Sequence, residues 1–327
     1  MWLLCVSLLP ACCSPFQRLH EAYQDRAWAA GAGAPDVLWS RGYYDLMRVN
    51  NPRIPMLYFT VPTEARARPE FMAEHFVGLR GLVWLRLGSH RNTFNDLATF
   101  VSTVLPSLHE PIDLLTSDGD LAVPSELQPG VADALLAHPM VRSWRTQNYD
   151  GSRVHAKLRP WPIGLDLHSG ASPSGTWAAL QAARRAAPPF AARRPRVLVD
   201  AVTLRAPERR RMVAMLAAGQ HVDVLRQRLP YAAAMRLYAE YQFVVSAHGD
   251  GLDCHRTWEV LALGGVPIVR ADPLQALYRD LPVVTVADWD AVQQADNLPR
   301  WAAATAPQRA AAGADLLARS RWLARPL

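Results

Sequence analysis

One stretch constrains the fold more than any other: Tyr241–Arg270, YQFVVSAHGDGLDCHRTWEVLALGGVPIVR. It reads as a buried strand, a glycine-broken polar loop, a short helix and a second buried strand. The loop and first helical turn gather Ser246, His248, Gly249, Asp250, Gly251, Asp253, His255, Arg256 and Glu259. In an open α/β sheet, ligands bind outside the carboxyl ends of the strands, where this loop would lie. Backbone donors at a helix start suit a phosphate.

Further strands and helices alternate along the chain. Strands are expected at Ile54–Val61, Leu79–Leu87, Ile112–Thr116 and, as a proline-flanked edge, Leu158–Ile163. Thr93–Leu108 has helical spacing, with Asn92 or Asn95 to cap it, and Val131–His138 is a second helix. Between Ala171 and Pro195 small residues, arginine and proline dominate, with helical spacing only at Thr176–Ala186. RVLVD at Arg196–Asp200 then starts a second series: helices at Glu208–Ala217, Tyr231–Tyr241, His255–Leu263, Leu274–Tyr278 and Asp288–Ala295, strands at Phe243–Ser246, Val266–Val269 and Val283–Val286. Such alternation predicts parallel sheets covered by helices on both faces. At 327 residues the chain exceeds one core of ordinary size. The expected fold is therefore α/β, two Rossmann-like domains facing across a cleft: a lead-in at 1–52, a first unit at 53–170, a linker at 171–195, a second unit at 196–300 and a terminal helix at 301–327.

Bulk properties narrow the function. The formal charge of +6 comes almost wholly from arginine, with Lys157 the only lysine. That suits anionic partners such as nucleotide phosphates or a membrane surface. No aromatic residues interleave the basic runs, so no nucleic-acid partner is expected. Four cysteines, three of them before residue 14, form no disulfide framework. The apolar segment Trp2–Cys13 is too short to span a bilayer as a helix and lacks a basic start. A cytoplasmic protein is expected, with peripheral association at the inner membrane face, export and lipid anchoring left open.

The residues of the central stretch have chemical and structural readings side by side. Arg256 could pair bidentately with a diphosphate, and Glu259, three residues on, could accept two hydrogen bonds from a ribose diol. The same two could form a surface ion pair beside an Asp253 helix cap. His248, Asp250, Asp253, Cys254 and His255 are crowded, yet their spacing matches no zinc pattern. No GxxxxGK[ST], GxSxG or GxGxxG is present in a fitting place. In the first half, Asp118 and Asp120 follow a strand and could deprotonate an acceptor hydroxyl, or merely stabilise a turn. Trp144, Asn148 and Tyr149 could line a sugar site or pack. Lys157 is an anion-contact candidate or a solvated side chain. Asp166 and His168 lie near the hinge.

The run SAHGDGLDCHRTWEVLALGGVPIV resembles the carboxyl-terminal signature of exostosin-like glycosyltransferases, matching at Arg256, Glu259, Gly264 or Gly265, and Pro267-Ile268-Val269. Val104-Leu105-Pro106 with Leu115–Asp120, and Gln147–Asp150 with Lys157 and Pro162–Asp166, are similar to blocks of bacterial members. The resemblance covers roughly residues 80–290. It implies a GT-B-like architecture and inverting transfer from a nucleotide-sugar donor to a glycan or lipid-linked glycan, in polysaccharide biosynthesis. It implies no metal and no other cofactor. By analogy Arg256 neutralises the leaving diphosphate and Glu259 holds the ribose. Ser246, His248, Gly249, Asp253, His255 and Lys157 would border the donor; the base would come from the opposite domain, where the family gives no secure match and Asp118 or Asp120 is the choice from position. A catalytically silent nucleotide- or glycan-binding protein on the same scaffold is the alternative, and a metal-dependent hydrolase using the His248–His255 cluster is a third.

Overall fold

The computed structural model describes residues 36–55, 58–90, 96–168, 172–200, 207–313 and 315–325. Trp2–Cys13, with the three early cysteines, and the Asn92 or Asn95 cap lie outside the described residues.

The first half opens with helix α1 (Tyr44–Asn50) and then builds a parallel sheet from β1 (Gly81–Arg86), β2 (Ile112–Ser117), β3 (Val141–Thr146) and β4 (Leu158–Pro160). Helices α2 (Asp96–Thr103) and α3 (Val131–Ala137) connect β1 to β2 and β2 to β3. The strands lie in simple order, β1-β2-β3-β4, with β4 at the edge. Val83, Trp84, Leu114, Leu115 and Trp144 are all buried, as expected of a sheet covered on both faces.

The second half follows helix α4 (Pro173–Ala186), whose start is capped by the Ser172 hydroxyl accepting from Gly175 N at 3.1 Å. Its strands are β5 (Arg194–Val199), β6 (Val222–Val224), β7 (Tyr241–Val245), β8 (Val266–Arg270) and β9 (Val284–Val286). All pair in parallel, in the order β6-β5-β7-β8-β9. Helices α5 (Pro207–Leu216), α6 (Tyr231–Ala239) and α7 (His255–Ala262) join them. The short β6, three residues of VDV, was not anticipated because it is too brief to show alternation. The layout is the α/β pair of parallel, Rossmann-like sheets that the sequence predicts.

Several elements differ from expectation: the helices expected at Leu274–Tyr278 and Asp288–Ala295 are the 3-10 segments Pro273–Tyr278 and Trp289–Gln293. Ile54–Val61 forms no strand among its described residues. Tyr58–Thr60 is a 3-10 turn that buries Tyr58 and Phe59. Pro55 and Pro62 bracket it, and proline cannot donate to a sheet ladder. The terminal helix is broken into α8 (Asn297–Ala304), α9 (Ala306–Ala311) and α10 (Arg319–Leu323). Pro307 starts a new helix instead of continuing the old one.

The broken tail returns to the first half. Leu38 N donates to Leu317 O at 2.7 Å, and Arg319 pairs with Asp36 and Asp45. Trp322 is buried, its ring 6.3 Å from that of Trp161 in the first half and 5.4 Å from that of Trp258 in the second. No helix among the described residues is long and apolar enough to cross a membrane.

Candidate functional site

The strand order of the second sheet reverses between β5 and β7, because the chain leaves β5 toward β6 and returns to the other side. In open α/β sheets a reversal of this kind marks the part of the carboxyl edge where ligands usually bind. Asp200 ends β5 there, and Ser246 to His248 end β7.

Arg256, in the first turn of α7, reaches this point. Its Nε donates to the Tyr238 hydroxyl at 3.2 Å, and its Nη2 lies 3.7 Å from the Asp200 carboxylate. The Tyr238 hydroxyl also donates to Asp200. The Arg256 side chain is 14% exposed, so it is held by neighbours without being sealed. Glu259, one turn on, is buried. Burial is the main influence that lifts its pKa to about 7, opposed by His255 and Arg256. The Tyr231 hydroxyl, from the start of α6, lies beside it.

Across the seam stands the carboxyl edge of the first sheet. Asp118 follows β2 with φ 60° and ion-pairs with Arg41, at 3.1 Å, and with Arg86. Burial alone would raise its pKa, but the two guanidiniums hold the carboxyl well below its usual range. His168 links the two sides. Its buried Nδ1 has no hydrogen-bond partner among the described residues and sits 3.5 Å from Asp166. Its ring meets that of His255 edge-on at 5.5 Å. Burial first, then Arg41, depress its pKa to about 4, so the imidazole is neutral at neutral pH.

The seam itself is polar. The Asp253 carboxylate accepts from Ile163 N at 2.7 Å, Cys254 N at 2.8 Å and Trp258 Nε1 at 3.0 Å. Asn148, at φ 55°, donates to Gly119 O at 3.1 Å and accepts from Asp253 N at 2.9 Å. Gly251 lets the second half press against it, since a Cβ there would lie 2.7 Å from Asn148 Nδ2. His255 Nδ1 donates to Gly164 O at 2.8 Å.

This geometry sorts the expected residues. Arg256, Glu259 and His255 gather on one face of α7 at the seam, with Asp118 on the opposite side. Asp253 is a corner post rather than a free cap or ligand contact. Ser246 is buried, its hydroxyl bonded to Thr257 Oγ1 at 2.8 Å, which docks α7 on β7. His248 pairs with Asp272 at 2.7 Å and, with Gly249 and Arg209, lines a separate cavity of about 110 Å³. Lys157 precedes β4, at the amino edge, and its ammonium donates to His138 O at 2.8 Å; it is far from the crevice edge. Asp118 is a poor proton acceptor, because its negative charge is already matched by two cations. The Asp120 amide, on the same loop as Asp118, donates to Gly88 O on the loop after β1 at 2.9 Å. Trp144 is core, and Tyr149 donates to Arg153 O at 2.9 Å.

Sequence reasoning assigned no role to Asp200, Tyr231, Tyr238, Arg41 or Arg86. Asp200 carried a signal, as the acidic residue closing the RVLVD strand. Arg86 ends a strand that was recognised. The tyrosines and Arg41 gave none, because their roles depend on helices packing across long sequence distances.

Asp166, His168 and His255 could offer three ligand atoms to a metal ion, all within 4.8 Å of one another. The Arg41 guanidinium acts on this cluster through His168 and opposes a dication. The crowded set His248, Asp250, Asp253, Cys254 and His255 does not converge, since His248, Asp253 and His255 turn to separate partners. Cationic, acidic and neutral imidazole groups side by side suit an anionic, hydroxyl-rich ligand.

No protein-family model matches the chain, and no curated protein matches it in sequence. Among solved structures, it is similar to an α,α-trehalose-phosphate synthase (UDP-forming) from Burkholderia vietnamiensis, at 14% identity and TM-score 0.41, over 94% of this chain and 82% of that one. An α,α-trehalose 6-phosphate synthase from Burkholderia multivorans gives 15%, 0.40, 93% and 80%. AviGT4, a glycosyltransferase involved in avilamycin A biosynthesis, gives 14%, 0.29, 75% and 96%. At these scores the likeness carries no weight for the chemistry, which rests on the site.

Proposed function

We propose that this chain is an inverting glycosyltransferase that moves a sugar from a nucleotide-sugar donor to a hydroxyl of a glycan or lipid-linked glycan. One observation carries the reading: Arg256 stands at the strand-order reversal of the second sheet, with Glu259 one turn behind it and a neutral His168 opposite. The donor diphosphate would sit against Arg256, whose charge offsets that of the departing nucleoside diphosphate. An ionised Glu259 would accept hydrogen bonds from the ribose diol. The acceptor oxygen attacks the anomeric carbon as the bond from that carbon to the diphosphate oxygen breaks. The hydroxyl proton passes to the imidazole of His168, whose side chain is 22% exposed and which replaces Asp118 or Asp120 as the base. Its pKa of about 4 gives it the basicity of an ordinary carboxylate. Asp118 orders Arg41 and Arg86 instead. Nothing in this scheme calls on a metal.

The charge-matched state of Asp118 favours one competing reading, a binding protein that holds the same donor without turnover. A panel of nucleotide sugars, read by thermal shift and by release of nucleoside diphosphate, separates the two. A donor that raises the melting point and is consumed, with consumption lost in Arg256→Ala, supports transfer. Binding without consumption supports the silent alternative. Unaltered consumption in Arg256→Ala overturns the site.

A further inference from the structure

We propose that the second half carries another binding site, on the side away from the crevice, for a small anion with an apolar body. A cavity of about 730 Å³ lies at the amino edge of the second sheet, between α4, the end of α7 and the segment that follows α9. Its volume falls in the range of small-molecule sites. Trp177, Phe190 and Leu316 supply apolar wall and Arg184, Arg193 and Arg309 supply positive charge, while the two acidic residues of the lining are engaged elsewhere, Asp36 with Arg319 and Ser320 N and Asp315 with Arg321.

Arg193 is the telling residue. It is 6% exposed. Its Nε donates to Pro188 O at 3.0 Å and its Nη2 to Leu263 O at 2.7 Å. Nη1 is buried and has no partner among the described residues. Among the described residues burial is the only influence on its ionisation, which it lowers, and no carboxylate acts on it. Arg66, just as buried, shows the contrast, for it is bonded to Asp96 at 3.0 Å. A cation taken from water without a counter-charge is costly, and an anion brought to it offsets that cost. Gly264 and Gly265 keep the space beside it small-sided, since Cβ atoms there would lie 3.3 Å from Nη2 and 3.5 Å from Nη1. Arg309 lies over the Phe190 ring at 3.7 Å, and Arg184 is exposed on the same wall. The occupant therefore presents a phosphate, sulfonate or carboxylate to the arginines and an aromatic or aliphatic body to Trp177 and Leu316.

The site lies at the opposite sheet edge from Arg256, so its test is independent of sugar transfer. The probe is 8-anilinonaphthalene-1-sulfonate, titrated into the folded full chain and followed by fluorescence. Saturable one-to-one binding is expected, weakened about tenfold or more in Arg184→Gln and Arg193→Gln by loss of a charge-assisted contact. It should vanish in Ala187→Trp, which fills the cavity, and persist in Arg256→Ala. Should Arg193→Gln fail to fold, Arg184→Gln and Ala187→Trp decide the matter. Absence of saturable binding, equal affinity in both of those variants, or loss in Arg256→Ala would overturn the proposal.

Discussion

The two sheets share parallel strands and buried faces, yet their carboxyl edges end differently. The first runs in one direction, β1 to β4, with no reversal, and its edge is filled by its own polar groups. Asp118 is matched by Arg41 and Arg86, while Gln147 accepts from Asp118 N at 2.9 Å and donates to Gly119 O at 2.7 Å. The second sheet reverses between β5 and β7, and there Arg256 is held by Tyr238 beside Asp200. Strand order, more than composition, separates an edge that serves as scaffold from one that can take a ligand.

The largest effect should come from breaking the junction that makes the two halves one body. Asp253→Ala strands three buried donors, and a loss of about 3–5 kcal/mol is expected in urea unfolding. The transition should split in two if the halves then unfold separately. Next, Arg256→Ala should lower transfer by about 10²–10³ with little change in melting point, because Tyr238 and Asp200 still bond each other. An unchanged rate would mean that the reversal is not where the chemistry occurs.

Two variants sharpen the contrast between edges. His168→Gln should slow transfer by about 10², and Asp118→Asn by less than about tenfold while lowering the unfolding midpoint. The opposite ranking would return the base to the first sheet.

A pH dependence completes the set. The Glu259 pKa is raised from 4.5 to about 7 in the folded chain, so its contribution is complete below 4.5 and lost as pH rises through about 7. Asp253, raised to about 6 mainly by burial, acts in the same direction. Stability should therefore fall between those limits, by about 3 kcal/mol for Glu259. Glu259→Gln should flatten that part of the profile, and an unflattened profile would place Glu259 in a more solvated setting.

Much of the second half was legible because its signals are local. The apolar runs around Phe243 and Ile268 and the glycines between them fix a strand, a loop and a helix within a short span. The site was legible in part. Arg256 and Glu259 share a helix face by spacing alone, and His168 could be placed near the hinge. That Asp118 meets two cations was not readable, since Arg41 and Arg86 arrive from distant segments. Lys157 misled because its segment had been matched by similarity of sequence, which does not say which end of a strand faces the crevice. Ser246 and Asp253 misled for the opposite reason: they lie in the right loop, but the fold uses their side chains to hold itself together.

The return of the chain end beneath Trp322 has a mechanical consequence. The polypeptide passes from one sheet to the other before α4 and passes back after α9, so two covalent bridges join the bodies. A protease that nicks only the first passage leaves both pieces clamped together, migrating as one particle until denaturant is added. Beside these crossings the seam bonds from Ile163 to Asp253 and from Asp253 to Asn148 tie the same two bodies.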